Sequence, residues 1–214
     1  MPLRTTLSCA VALLLATTLH AQDAHTLAQK VDAHYNHLQS FQAQYAEHYT
    51  GMGLDRTETG TLLLKKPGRM RWSYNQPAGK VFVLDGKSAY FYTPGDAQAQ
   101  RIPAKQLDDL RSPLRFLLGH TQLEKELPGL TATSTGNGLF TLSGVPPQMA
   151  QRIHSLSLTV NADGIIQRIR LEETDGAVTD FSFTGIHENV PTRDSDFVFV
   201  PPAGVEIVNG MPPI

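Results

Sequence analysis

The sequence contains very little cysteine, with a single one at position 9 of 214 residues. One cysteine excludes an intramolecular disulfide framework and any metal or iron–sulfur site built from several thiolates. An excess of charge of one sign is also missing, since 18 Lys and Arg face 20 Asp and Glu. A net charge of −2 gives no electrostatic reason to expect nucleic acid or an anionic membrane surface as a partner. With 41% hydrophobic and 18% charged residues, the chain is predicted to be globular.

A long hydrophobic run is absent as well. The apolar stretch over 7–15 (LSCAVALLL) is too short to span a bilayer as a helix. It follows Arg4 and leads to a polar-to-small segment that ends at Ala21, which is the pattern of a cleaved secretory signal peptide. Residues 1–21 are therefore predicted to be the signal peptide and 22–214 a single mature domain. Cys9 lies at the start of the apolar run, where a lipidated cysteine would not be, so we expect an unlipidated, cysteine-free protein of the periplasm.

Motifs for catalysis and for ligand binding are missing too. There is no Gly-rich phosphate loop in a strand–helix context, no G-x-S-x-G and no H-E-x-x-H. His34 and His37 are three residues apart on a predicted helix, where solvated side chains are a better interpretation than metal ligands. Glu172 and Glu173 flank a turn, as solvated carboxylates commonly do. The sequence predicts no enzyme activity, no cofactor and no metal.

An amphipathic helix is predicted over 24–39, with Asp23 as its N-cap. Leu27, Val31, Tyr35 and Leu38 recur at spacings of four, four and three, which places them on one face. Such a stripe must be buried against another element.

The rest of the chain is dominated by alternating segments and turn residues, which predict about ten strands in one antiparallel, twisted sheet. Asp85-Gly86 is a strong signal for a tight hairpin. The predicted strands are 41–49, 57–66, 69–75, 80–84, 87–93, 139–143, 152–160, 165–173 and 177–187, with 197–200 running into two prolines and a last edge strand at 205–208. Two short helical pieces are predicted over 104–110 and 113–118.

Several central strands are apolar at consecutive positions, over 62–64, 81–84 and 90–92. A sheet with one face in water should alternate instead. Both faces are therefore covered, or one face lines an apolar cavity. On this feature alone, helices packed on an ordinary sheet are the preferred explanation.

The densest basic stretch covers 65–72 (KKPGRMRW). Phosphate or nucleic-acid binding would need a second basic run, and none is present. A hairpin with a solvated basic face is the preferred interpretation, with a gating or partner-binding role as the alternative.

An ordered set of motifs resembles the LolA family of periplasmic outer-membrane lipoprotein carriers. The set covers nearly the whole mature chain. It consists of 60–74 (GTLLLKKPGRMRWSY), 85–87 with 90–92, 113–119 (PLRFLLG), Phe181 with Phe183, Asn189, and 197–205 (FVFVPPAGV). The absence of a lipid-attachment cysteine argues against LolB, the similar acceptor that is itself a lipoprotein.

The resemblance implies a mainly β fold with short helices (α+β): a strongly curved, incomplete antiparallel β-barrel closed by a helical lid around an apolar cavity. The cavity would hold the acyl chains of lipoproteins. The carrier would take them from an inner-membrane ABC transporter and pass them to an outer-membrane receptor similar to LolB. We expect a monomer without nucleotide or nucleic acid. The alternative is a periplasmic protein of the same fold that binds lipids or glycolipids or senses lipoproteins.

On this basis specific residues are assigned to the site. The cavity wall is expected at Leu62, Leu64, Met70, Trp72, Phe82, Leu84, Tyr90 and Tyr92, and the lid at Leu27, Val31, Leu114, Phe116, Leu117 and Leu118. Lys66 stands where family members often have an arginine that holds the lid, so it is expected to gate the lid with fewer donors. Met70 replaces an aromatic residue linked to the transporter contact, and a flexible thioether suits such an interface.

Overall fold

The computed structural model describes residues 23–105, 115–118 and 122–210. The predicted signal peptide lies outside these ranges, as do Leu114 and most of the helix predicted over 104–110. None of the described helices is long and apolar enough to cross a membrane.

Helix α1 (Ala24–His37) confirms the amphipathic prediction and ends two residues earlier than expected. The Asp23 carboxylate caps it by accepting a hydrogen bond from the His25 N–H at 3.2 Å. Leu27, Val31 and Tyr35 are fully buried on one face, and Leu38 is buried just beyond the helix end. The predicted stripe is the face that α1 turns toward the sheet.

The structure contains twelve strands, two more than predicted. The first half of the chain forms β1 (Ser40–Gly51), β2 (Leu54–Lys65), β3 (Arg69–Gln76), β4 (Val81–Leu84), β5 (Ser88–Tyr92) and β6 (Gln98–Pro103). Two short helices follow, α2 (Arg115–Leu118) and α3 (Leu123–Glu126). The second half forms β7 (Thr131–Gly136), β8 (Leu139–Gly144), β9 (Ile153–Asn161), β10 (Ile166–Glu173), β11 (Val178–Glu188) and β12 (Glu206–Asn209), with short 3-10 helices at Pro147–Met149 and Asp194–Phe197.

All twelve strands belong to one open sheet in the order β12-β6-β5-β4-β3-β2-β1-β11-β10-β9-β8-β7. Neighbouring strands are antiparallel, as predicted, except that β12 pairs with β6 in parallel. The strands missed in the sequence are β6 (QAQRIP) and β7 (TATSTG), whose polar composition hides them. The segment 197–200, which runs into two prolines, follows a 3-10 helix and lies outside the sheet.

The Asp85-Gly86 hairpin is confirmed between β4 and β5. The Asp85 carboxylate accepts hydrogen bonds from the N–H groups of Lys87 and Ser88 at 2.7 and 2.8 Å. Gly86 has a φ of +97°, a backbone conformation that L side chains rarely adopt. The turn is therefore fixed by the two residues that predicted it.

The two faces of the sheet have different surroundings. We call the face that packs on the helices the inner face, and the opposite one the outer face. On the inner face Leu64, Met70 and Leu84 lie side by side across β2, β3 and β4. Across the other half of the sheet the same face carries a row of aliphatic and aromatic side chains at Phe181, Ile169, Leu158 and Leu142. Both halves join α1 and α2 in one hydrophobic core, so the sheet curls around the helices.

Candidate functional site

The inner face is covered by α1, α2 and α3, which we call the helical cover. Leu27 and Val31 of α1 are completely buried, and Phe116 and Leu117 of α2 are 2% and 0% exposed. Four of the expected lid residues therefore lie on the inner face. Leu114 is outside the described residues, and Leu118 belongs to α2.

Six of the residues expected in the cavity wall lie in the inner-face core or against it. Leu62 and Leu64 are fully buried, and Met70 and Trp72 are 4% and 3% exposed in the same core. Phe82 and Leu84 are half-buried and pack against that core. These six side chains share the inner face because they are paired across β2, β3 and β4.

The expectation that Tyr90 and Tyr92 line the same surface is wrong. In β5, Ala89 lies opposite Leu84 and Phe91 lies opposite Phe82, so the two tyrosines point to the outer face. The Tyr90 ring stacks on Phe199 with 5.4 Å between centroids. A shift of one residue in strand parity moves every side chain of β5 to the other face, and the sequence alone does not fix that parity.

The segment over 194–200, which we call the outer strap, explains why these strands are apolar on both faces. Phe197 is 1% exposed, and Phe199 contacts both Tyr90 and Tyr92. The strap covers the outer face of β5 and the helical cover lies on the inner face. The sequence allowed either coverage of both faces or an apolar cavity on one face, and the structure shows coverage of both faces.

The basic stretch over 65–72 anchors this strap. Lys65 donates to the Asp194 carboxylate at 2.7 Å, and Arg69 pairs with the same carboxylate. Arg71 donates to the backbone carbonyls of Asp196 and Val198 at 3.4 and 3.3 Å. The contacts with Lys65 and Arg69 hold the pKa of Asp194 below its ordinary value, chiefly through the hydrogen bond from Lys65. Instead of a solvated basic face, the stretch provides structural ion pairs.

Lys66 separates from its basic neighbours and points to α1. Its ammonium group donates a hydrogen bond to the backbone carbonyl of Tyr35, close to the C-terminal end of the helix. A cation at this end also interacts favourably with the helix dipole. Partial burial lowers the pKa of Lys66. The residue expected to hold the lid thus contacts α1.

Both the backbone carbonyl and the side-chain hydroxyl of Tyr35 accept hydrogen bonds from other elements. Its carbonyl accepts the bond from Lys66, which follows β2, and its hydroxyl accepts a hydrogen bond from the N–H of Ile166, the first residue of β10, at 3.0 Å. Lys30 adds a bond to the carbonyl of Ala162 at 2.7 Å. These contacts attach α1 to both halves of the sheet.

Met70 is not available to an external partner in this conformation. Its side chain is buried, and the Trp72 indole N–H donates to its sulfur at 2.8 Å. Its position suits the cavity wall better than the transporter contact that was also expected for it.

Side chains of the helical cover pack against the inner face in one hydrophobic core. An open depression of about 640 Å³ lies elsewhere, beside Gln167, Ile186, His187 and Pro191 at one end of β10 and β11. Within the described ranges no group of three or more His, Cys, Asp or Glu residues is placed to hold a metal ion.

Sequence reasoning missed a group of polar side chains at one end of the inner face. Tyr45, Glu47, Glu58, Tyr74 and Lys80 meet there. The alternation of Phe41, Ala43 and Tyr45, followed by Glu47, carries the signal, because the inner parity of β1 changes there from apolar to acidic.

Comparison with known sequences matches residues 36–200 to the family described as outer membrane lipoprotein carrier protein LolA. Among curated proteins, the outer-membrane lipoprotein carrier protein of Pseudoalteromonas translucida is 28% identical over 199 residues, which cover 91% of this chain and 90% of that one. The carrier protein of that name from Proteus mirabilis is 27% identical over 201 residues, covering 93% and 94%.

Solved structures agree on the fold. An uncharacterised conserved protein of Thermus thermophilus superposes with a TM-score of 0.55 at 14% identity, over 87% of this chain and 99% of that one. The lipoprotein LppX of Mycobacterium tuberculosis gives a TM-score of 0.50 at 14% identity, over 79% and 98%. At these identities the likeness concerns the fold alone.

Proposed function

The chain belongs to the LolA family of outer-membrane lipoprotein carrier proteins, and from this premise we propose that it carries lipoproteins across the periplasm with their acyl chains bound to the inner face. The observation that supports this most directly is the continuous apolar inner face, which spans both halves of the sheet and is covered by short helices. A covering of this kind is replaceable by another apolar body of similar size.

The size of the hydrophobic effect explains why a carrier is needed. Each methylene buried is worth about 0.8 kcal/mol, so two or three long acyl chains in water represent on the order of tens of kcal/mol. The carrier must shelter most of that surface and still release it. Side chains of the helical cover satisfy the inner face when no cargo is present, and acyl chains replace them on loading, so little apolar surface meets water in either state.

In this mechanism the curled sheet acts as an incomplete barrel and the helical cover as its lid. Leu27, Val31, Phe116 and Leu117 withdraw from Leu62, Leu64 and Trp72, and the space they leave becomes the acyl-chain cavity. The bond from Lys66 to the Tyr35 carbonyl resists this opening. Leu114 and Leu118 complete the lid in this proposal, as the family motif implies.

The same proposal supplies the partners. Cargo comes from an inner-membrane ABC transporter and leaves to an outer-membrane acceptor, so the protein itself needs no nucleotide and no catalytic group. Met70 would reach the transporter only when the cover opens, because its side chain is buried in the closed state.

Trp72 is a fluorescent probe for acyl-chain binding, because it is the single tryptophan of the sequence and lies on the inner face. A lipoprotein with brominated acyl chains, mixed with the purified protein, is expected to stay soluble and to quench Trp72 fluorescence. The matched control is the same lipoprotein without its acyl chains, which should do neither. Cargo that precipitates equally with and without the protein, or binds without quenching, would contradict the proposal.

A further inference from the structure

One end of the inner face carries a cluster of polar side chains, which we call the polar end: Tyr45, Glu47, Glu58, Tyr74 and Lys80. Strand register brings them together. Glu47 lies directly opposite Glu58, while Tyr45 and Tyr74 flank Gly60 from the two neighbouring strands. Gly60 leaves room for the Tyr45 ring, because a Cβ there would lie 2.9 Å from Tyr45 Cε1.

The polar end adjoins the aromatic part of the apolar surface. The Tyr45 ring packs edge-on against Trp72, with centroids 4.4 Å apart, and against Tyr74 at 5.6 Å. Trp72 in turn contacts Phe181 at 5.8 Å. An elongated ligand on the inner face would therefore pass from apolar to polar surroundings at Tyr45.

Among the charged groups of the polar end, Lys80 and Glu58 form a close ion pair, and Glu47 lies beside it. Lys80 Nζ lies 2.8 and 2.6 Å from the two carboxylate oxygens of Glu58 and 4.4 Å above the centre of the Tyr74 ring. Glu47 faces this pair across the strands, and burial, followed by the charge of Glu58, raises its pKa. Lys80 and Arg56 oppose that rise. Glu47 thus offers an acceptor to a ligand.

The Tyr45 hydroxyl is the main observation that points to a binding site. The residue is 3% exposed, and although the Tyr74 hydroxyl lies nearby, no group in the described part of the chain makes a hydrogen bond of good geometry with the Tyr45 oxygen. Burial and the neighbouring Tyr74 raise the pKa of Tyr45, so the hydroxyl keeps its proton and can donate it. A buried hydroxyl without a partner is unfavourable, and an incoming acceptor would relieve that cost.

We propose that the polar end binds the ester-linked glyceryl head of the cargo's lipid anchor. Tyr45 and Tyr74 donate hydrogen bonds to ester carbonyl oxygens, Lys80 provides a nearby positive charge, and Glu47 accepts from a peptide N–H next to the anchor. This assignment rests on the proposed carrier function and adds an orientation to it. The acyl chains extend from Tyr45 toward Leu64 and Met70, and the protein part of the cargo leaves at the polar end.

Diacylglyceryl esters occur in membrane phospholipids as well as in lipoproteins. The two sources differ beside the ester groups, where a phospholipid carries an anionic phosphate and a lipoprotein carries a peptide. Two carboxylates at the polar end, Glu47 and Glu58, disfavour the phosphate. The geometry therefore favours the lipoprotein.

Binding measured by Trp72 quenching separates these possibilities. The probes are a brominated diacyl lipopeptide, its ether-linked dialkyl analogue with the same peptide, and brominated phosphatidylglycerol. The wild-type protein is expected to bind the ester lipopeptide about 5-fold more tightly than the ether analogue, which corresponds to one net hydrogen bond. Tyr45→Phe should lower the affinity for the ester lipopeptide to that for the ether analogue, so that the preference disappears. Tyr90→Phe on the outer face is the matched control and should keep the preference.

Removal of an unpaired hydroxyl should not impair folding, so the urea midpoint of Tyr45→Phe is expected to equal that of the wild type or to exceed it. Glu47→Gln should strengthen binding of phosphatidylglycerol relative to the lipopeptide. Equal affinity of the wild type for ester and ether probes, or a preference that survives in Tyr45→Phe, would overturn this site. Loss of binding to all three probes would instead overturn the carrier function itself.

Discussion

The sheet has two coverings, and they are attached in different ways. The outer strap is held by ion pairs from Lys65 and Arg69 to Asp194 and by the bonds from Arg71 to backbone carbonyls. The helical cover packs on the sheet mainly through apolar side chains, and the polar contacts of α1 include those of Lys30, Tyr35 and Lys66 and the approach of His34 Nε2 to Glu188 Oε1 at 2.8 Å.

This difference separates a permanent covering from a replaceable one. Ion pairs and directed hydrogen bonds require particular partners, and an acyl chain provides none of them. Apolar packing is non-directional and depends mainly on the area removed from water, so in the proposed mechanism acyl chains replace Leu27, Val31 and Phe116 on the inner face. Under that proposal, the apolar residues of β4 and β5 have a structural role on the outer face and a binding role on the inner face.

The largest expected effect concerns the permanent covering. Phe197→Ala removes a fully buried ring from the outer strap and should lower the free energy of unfolding by about 3 to 5 kcal/mol. Molecules that remain folded should bind brominated acyl chains with unchanged affinity. Urea unfolding and Trp72 quenching measure the two quantities.

The control for this variant is Val198→Ala, at the next position, where the side chain is 53% exposed. It should change stability by less than about 0.5 kcal/mol. If Phe197→Ala strengthened acyl-chain binding while barely affecting stability, the strap would be the replaceable covering and the comparison would be reversed.

A smaller effect is expected at the replaceable covering. Lys66→Ala removes the bond to the Tyr35 carbonyl, which we expect to be worth about 1 kcal/mol because the ammonium group is only half-buried. The closed state loses that amount, so acyl-chain affinity should rise by about 5-fold. Hydrogen exchange of the α1 amides should also become faster.

Lys66→Arg is the matched variant, since it keeps the positive charge and adds donors. It is expected to bind acyl chains no more tightly than the wild type. An affinity that is the same in Lys66→Ala and in the wild type would show that this bond does not resist opening.

The smallest effect depends on pH. The pKa of Asp194 is lowered in the folded protein, so its ion pairs stabilise the fold above the ordinary pKa of 3.8 and stop doing so as the pH falls through the lowered value. Asp194→Asn should therefore melt at a lower temperature than the wild type at neutral pH and at the same temperature in strong acid, near about pH 2. A difference that persists unchanged in acid would mean that the carboxylate contributes through something other than its charge.

Much of the fold could be predicted because local patterns and tertiary structure agree. Three features are determined by residues close together in the sequence. They are the apolar stripe at Leu27, Val31 and Tyr35, the N-cap at Asp23 and the turn at Asp85-Gly86. Six of the eight expected wall residues share the inner face, because the alternation of arginine with Met70 and Trp72 fixes the parity of β3 and strand pairing extends that parity to β2 and β4.

The remaining features depend on contacts between distant segments. β5 is apolar at every position from Ala89 to Tyr92, so its parity follows from pairing with β4 and from the strap at Phe199, more than a hundred residues away. The polar end likewise requires the register between Glu47 and Glu58 and the position of Lys80 before β4. Neither is visible in a single segment of sequence.

Tyr35 links two separate strands of the sheet through α1. Its carbonyl is tied to the end of β2 and its hydroxyl to the start of β10, so one residue bridges the sheet over β1 and β11. The helix therefore joins β2 to β10 across the two central strands between them. In the proposed carrier mechanism, movement of α1 away from the sheet would break both hydrogen bonds together, so the curvature of the sheet beneath the helix would no longer be fixed by them and could adjust to cargo with acyl chains of different number or length.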